Sequence, residues 1–197
     1  MSTNPPAKRR RGDVARSEAI EVARALLLSD GPSAVTLKAV GQRLGMGHAN
    51  LIHHFGSAAG LHGELMDRMV RDLAERITMA LPVAEPATWD AGALVAVVFE
   101  AFGSGGAADL AAWMTLAREA DKAESFAQVV RDLADRVAQL AGGGPTAQAK
   151  ARALVLVVTY MAFADGLIGS TLRPMLGADE ALGPDLTVAS IAAILAR

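Results

Sequence analysis

Apolar residues recur along most of this chain at three- and four-residue intervals, the period of a helix that buries one face. No stretch alternates apolar and polar residues as a half-buried strand would. The first periodic segment runs from about Val14 to Ser29, with Ile20, Ala23 and Leu27 on one face. Asp30-Gly31-Pro32 stops it, because Gly takes a left-handed cap and Pro cannot continue a helix. Thr36 suits the N-cap of a short second helix, Leu37 to Leu44, and Gly45-Met46-Gly47 breaks that one. A third short helix is expected from about His48 to His54. Ser57 can then cap a long fourth helix to about Leu81, along which Leu61, Leu65, Met69, Leu73 and Ile77 recur every four residues. Beyond a loop at Pro82 to Gly92, helices are expected at about 93–102, 107–120, 123–141, 147–172 and 186–196. They are separated by Gly103-Ser104-Gly105-Gly106, Gly142-Gly143-Gly144-Pro145 and the Pro174 to Pro184 segment. The expectation is an all-α protein of eight or nine helices.

The segment 36–55 carries the most specific pattern. Two helices joined by a tight turn can seat the second in a DNA major groove only if they pack closely. That needs a small residue on the first helix, a Gly in the turn and an apolar anchor on the second. Gly41, Gly45 and Leu51 meet these needs, with Leu37, Val40, Leu44, Ile52 and Phe55 as core candidates. The exposed face then presents His48, Ala49, Asn50 and His53, short groups able to approach base edges. A structural hairpin that never meets DNA satisfies the same bare pattern.

Charge strengthens the DNA reading. Residues 1–56 hold eight Lys/Arg against four acids, a net of +4, while the remainder holds eleven against seventeen, a net of −6. A basic head on an acidic body points to a polyanion bound at one end. Residues 1–12 are polar, basic and Pro-containing, and are expected to be disordered when free.

Other classes are disfavoured. The chain has no cysteine, which removes disulfides and thiolate metal sites and suits a reducing cytoplasm. The basic start is not followed by the apolar run of a signal peptide. The longest strongly apolar charge-free run, Ala153 to Ala164, is shorter than the roughly 20 residues of a membrane span, so no membrane association is expected. No nucleophile elbow, phosphate-binding Gly-Lys-Ser/Thr loop or His-Glu-x-x-His motif occurs, so an enzyme is not expected, nor a cofactor.

The run Thr36-Leu37-Lys38-Ala39-Val40-Gly41-Gln42-Arg43-Leu44-Gly45-Met46-Gly47-His48-Ala49-Asn50-Leu51-Ile52-His53-His54-Phe55-Gly56-Ser57 resembles the DNA-binding signature of the TetR family of bacterial regulators. The preceding Arg16-Ser17-Glu18-Ala19-Ile20 and Ala23 resemble that family's first helix. The motif likeness covers about residues 14–66. It implies an all-α homodimer with a three-helix DNA-binding head, a linking fourth helix and a helical body. It further implies that the last two helices, about 147–172 and 186–196, form the intersubunit bundle, and that a small ligand in the body relieves repression. The domains on this reading are a basic arm 1–12, a helix-turn-helix domain 13–57 and a ligand-binding and dimerisation domain 58–197. The implied DNA contacts are Arg9, Arg10, Arg11, Thr36, Lys38, Gly47, His48, Ala49, Asn50, His53, His54 and Ser57. Two customary phosphate contacts are missing, because Ile52 stands where the family usually has Tyr and Ala58 where it usually has Lys. Lys8 to Arg11 can compensate by lying along the neighbouring minor groove.

All four histidines (His48, His53, His54, His62) fall within fifteen residues. His48 and His53 suit base edges and His54 a phosphate. A metal site lacks a convergent carboxylate other than Glu64, so no metal is expected, and for His54 packing beside Phe55 is the competing reading. If these imidazoles contact DNA, binding should tighten as pH falls through the ordinary imidazole range.

In the body, Phe99, Phe102, Trp113, Met114, Phe126, Thr159, Tyr160 and Phe163 are the ligand-binding candidates, although each apolar one is by default ordinary core. Glu100, Thr159, Tyr160 and Asp165 stand out as polar groups on apolar helices, where a ligand could be their partner. The expected effector is small and hydrophobic. Helix 147–172 is apolar nearly all round, as a helix buried on both its own body and a partner chain would be. The rival functions are a helical adaptor for another protein and a small-molecule-binding protein without DNA activity.

Overall fold

The computed structural model describes the backbone of residues 6–80, 90–119 and 124–196, and the side chains of residues 12–80, 90–119 and 127–196. Among the described residues every regular element is helical. In chain order they are α1 (Pro6–Asp30), α2 (Leu37–Leu44), α3 (His48–Phe55), α4 (Ala58–Ala80), α5 (Ala91–Phe102), α6 (Ala107–Leu116), α7 (Glu124–Leu140), α8 (Gly144–Ala164), α9 (Ser170–Leu176) and α10 (Leu182–Leu195). A 3-10 turn, Pro32–Ala34, precedes α2, and a π-helical turn, Asp165–Gly169, joins α8 to α9.

The caps are where composition calls for them. Gly31 takes φ 82° after α1, and Gly45 takes the left-handed φ 64° that ends α2. The Thr36 hydroxyl accepts from the Ala39 N–H at 3.1 Å, and the Ser57 hydroxyl accepts from the Gly60 N–H at 3.1 Å. Asp90 caps α5 by accepting from the Ala93 N–H at 3.0 Å.

Several boundaries differ from the expectation. α1 begins at Pro6, not near Val14, so part of the segment expected to be a disordered arm continues the helix, and residues 1–5 lie outside the described residues. Pro is tolerated in a first helical turn, and Ala, Lys and Arg are good helix formers. α6 ends at Leu116, because Arg118 adopts φ 59° and the chain turns there. The expected break between Pro174 and Pro184 shrinks to residues 177–181: Pro174 sits inside α9, and Pro184 lies in the first turn of α10. A first-turn proline forfeits only an N–H that has no intrahelical partner.

Packing gathers into two apolar clusters. The first joins Ala19, Ala23, Leu26 and Leu27 of α1 with Leu37, Val40, Leu51 and Phe55, then runs on through Leu61 and Leu65 of α4 to Leu110 and Met114 of α6. The core of the head therefore crosses residue 57 and reaches the body without interruption. The second cluster joins Ile77, Val98, Val137, Ala138, Ala151, Leu154 and Ala162. The helical segment Gly144–Leu176 is 33 residues long with a window of mean hydropathy 1.8, enough by length and composition to cross a membrane. The run is longer than the charge-free stretch Ala153 to Ala164 because the helix extends through Asp165 and Arg173, whose ion pair bridges the π-turn.

Candidate DNA-reading face and ligand cavity

The turn between α2 and α3 is held at close range. A Cβ at Gly41 would stand 2.8 Å from the Met46 carbonyl oxygen and 3.1 Å from Leu51 Cδ1. Only a residue without a side chain admits this approach, so the small-residue requirement read from the sequence is a geometric one. The Met46 N–H donates to the Gly41 carbonyl at 2.9 Å, closing the turn, and Leu51 is fully buried beneath it.

That anchor decides which way α3 faces. His48, Ala49, Asn50 and His53 are all exposed, together with Gly47 and Lys38. Ile52 belongs to the same surface: it is 44% exposed, so its expected place in the core is corrected. Leu51 and Phe55, one turn apart, already supply the inward face, and Ile52 falls off it. His54 stands apart from the exposed set. It is half-buried, edge-on to Phe55 with ring centroids 6.3 Å apart, and lies beside Gly12 of α1. Thr36 and Ser57 are exposed, and each hydroxyl spends an acceptor site on its cap while its O–H is still available to donate to a phosphate.

Among the described side chains of the head, three of the four Lys/Arg are paired. Arg16 pairs with Glu64 and stacks over Phe55, Arg24 pairs with Asp72 at 3.2 Å, and Arg43 pairs with Asp30 at 3.3 Å. Among the described residues of the head, Lys38 is the lysine or arginine with no acidic partner. The side chains of Arg9, Arg10 and Arg11 lie outside the described residues.

His62 does not share the reading face. It is 4% exposed inside the first apolar cluster, with Nδ1 at 2.9 Å from a Glu119 carboxylate oxygen and Nε2 at 2.8 Å from the Val35 carbonyl. Among the described residues no group of three His, Asp or Glu side chains is arranged to hold a metal.

In the body, α4 to α8 enclose a cavity of about 640 Å³, within the range of small-molecule sites. Of the expected ligand residues, Phe102, Met114, Thr159, Tyr160 and Phe163 line it, while Phe99 and Trp113 do not. Phe99 turns instead toward Gly183 of α10, and Trp113 is 37% exposed. The side chain of Phe126 lies outside the described residues. Glu100 reaches the cavity and pairs with Arg76 at 2.7 Å, whereas Asp165 is spent on Arg173 outside it. The α4 wall of the cavity is built from Met66, Met69, Leu73 and Ile77. The four-residue spacing of α4 marks Met69, Leu73 and Ile77 as core and goes no further, and it passes over Met66. Spacing reveals the buried face of a helix but not where that face lacks a neighbour.

Arg24 of α1 also lines the cavity, through its pair with Asp72, which Arg68 holds as well at 2.9 Å. The cavity thus touches the head directly.

Residues 19–65 match the family model described as bacterial regulatory proteins, tetR family. No curated protein matches the sequence. Among solved structures, the multidrug binding protein EbrR complexed with imidazole superposes with a TM-score of 0.64 at 19% identity, covering 98% of this chain and 97% of that one. EbrR complexed with proflavin gives 0.58 at 19% identity over 91% and 99% of the two chains. A TetR-family transcriptional regulator from Pectobacterium atrosepticum gives 0.64 at 17% identity, over 95% of each chain. At such identities these likenesses establish a shared fold over nearly the whole length.

Proposed function

We propose that the chain is a TetR-family regulator, whose family model residues 19–65 match, and that it acts as a homodimeric, cytoplasmic repressor released from a palindromic operator by a small, largely apolar ligand. One observation carries this reading: the exposed face of α3 and a cavity of about 640 Å³ share a continuous apolar core through α4 and α6. A ligand that prefers one arrangement of that core shifts the population of DNA-competent molecules by its differential affinity. Moving the balance from 99:1 to 1:99 takes about 5.5 kcal/mol.

Homodimerisation is supported by the surface of α8 to α10. Leu156, Tyr160, Ile168, Leu172 and Leu186 are each 45% exposed or more, an apolar surface on consecutive elements that a second copy would cover. The same cover accounts for the apolar length of Gly144–Leu176. In the dimer, two α3 helices would enter successive major grooves about 34 Å apart. His48, Ala49, Asn50 and His53 would face base edges, with Lys38, Gly47, Thr36, Ser57 and the Lys8–Arg11 run at phosphates. His54 is better suited to packing α3 on α1 than to contact.

EbrR, which shares the fold, has been crystallised with proflavin, and this makes a planar aromatic molecule a reasonable first probe for the cavity. The test is a mobility shift on the promoter region beside the protein's own gene. A shift that disappears in Asn50→Ala/His53→Ala and is reversed by a cavity ligand supports the reading. No shift with any upstream DNA, from a folded dimer, rejects it in favour of an adaptor or a ligand carrier.

A further inference from the structure

His62 is tied at both ring nitrogens to groups from two different regions. Nε2 meets the Val35 carbonyl at 2.8 Å, immediately ahead of Thr36, the residue that caps α2 and so begins the helix-turn-helix. Nδ1 meets Glu119 at 2.9 Å, immediately behind α6. Glu119 is placed there by the turn that ends α6: Arg118 holds φ 59°, and the Glu119 N–H donates to the Met114 carbonyl at 2.8 Å. Met114 and Thr115 are cavity wall. A short path of covalent and hydrogen bonds therefore runs from the cavity wall through Glu119, His62 and Val35 to the first residue of the DNA reader.

The chemistry of this link is unusual. A carbonyl and a carboxylate both accept hydrogen bonds, and a neutral imidazole has one N–H to give. The site is shielded from water, so a ring nitrogen that loses its partner there leaves a buried polar group unsatisfied. Glu64, two residues along α4, is already held by Arg16, so the charged partner of His62 is Glu119.

We propose that His62 and Glu119 form a positioning link that fixes the start of the helix-turn-helix to the α6 wall of the cavity. This rests on the reading of cavity and head as one regulated unit. The link holds the head in register with the body, and a displacement of α6 by a ligand reaches Val35 through two hydrogen bonds.

The test uses the full chain and variants at Glu119, which lies three residues beyond α6 and outside the head. In Glu119→Gln, the side-chain amide can still meet Nδ1, so amide exchange across residues 35–44 should stay close to wild type. In Glu119→Ala nothing replaces the interaction. Exchange across residues 35–44 should rise about ten-fold and operator affinity fall by a similar factor, as for removal of one charge-assisted hydrogen bond, with thermal unfolding still cooperative. Exchange in Glu119→Ala within about two-fold of wild type, or exchange in Glu119→Gln raised as far as in Glu119→Ala, overturns the link. If the wild type binds no DNA, the functional reading falls, and the exchange results still decide the link.

Discussion

The head and the body of this protein solve opposite packing problems with the same secondary structure. In the head, short helices are stopped and started by residues whose side chains or backbones are fully engaged: Thr36 and Ser57 as caps, Gly45 in the left-handed region, Gly41 against a carbonyl oxygen. The anchors Leu51 and Val40 are completely buried. In the body, longer helices lean on one another around about 640 Å³ of space, and α8 to α10 leave large apolar side chains uncovered. On the proposed function, the head must hold side chains to a fraction of an ångström, which close packing supplies, and the body must keep volume unfilled and surfaces available, forgoing the contacts that would have filled them.

The sharpest way to break this contrast is to remove an anchor of the head. Leu51→Ala should cost about 2–5 kcal/mol, the usual range for a buried leucine, read as a drop in the thermal midpoint together with disappearance of the band shift. If the head tolerates it for under about 1 kcal/mol, the close packing described for it is wrong. Removing function without packing comes next. Asn50→Ala with His53→Ala should leave the melting temperature unchanged and weaken specific binding by about 1–3 kcal/mol for each good base interaction removed. Unchanged specificity would move the reading face elsewhere on α3.

Gly41→Ala is expected to destabilise by about 1–3 kcal/mol from overpacking, less the better helix propensity of Ala, roughly 1 kcal/mol. An improvement in stability would show that Met46 can retreat. Ile52→Tyr and Ala58→Lys each add a phosphate contact, and each should steepen the log–log salt dependence by about one unit, which titration at several salt concentrations measures. The smallest effect belongs to the body. Ala101→Leu enters the cavity, where space is available, and should change stability by less than about 1.5 kcal/mol while displacing any cavity ligand, a result calorimetry can separate.

The head is legible from its sequence almost residue by residue, because its determinants are local. A cap bonds a neighbour three residues on, and a glycine answers to the turn that holds it. Ile52 escapes this logic: its apolar character marks it as core, and only the rotation of α3 set by Leu51 and Phe55 puts it outside. The cavity is half legible. Phe102, Met114, Thr159, Tyr160 and Phe163 stand out in the sequence of the body and do line it, but Phe99 and Trp113 carry the same chemistry and face elsewhere. His62 groups with the reading-face histidines by proximity in sequence, yet its partners lie 27 and 57 residues away.

What the sequence by itself determined is the set of helices in the head, their caps, and most of the side chains exposed on α3. These depend on interactions within one or two turns and on periodicity. The tertiary structure alone decided where volume is left empty, that Arg24 and Asp72 bring the cavity to the head, and that His62 joins Val35 to Glu119. Each of these depends on the relative placement of helices far apart in the chain, and a side chain's composition and spacing carry no record of the neighbour it lacks or the distant one it finds.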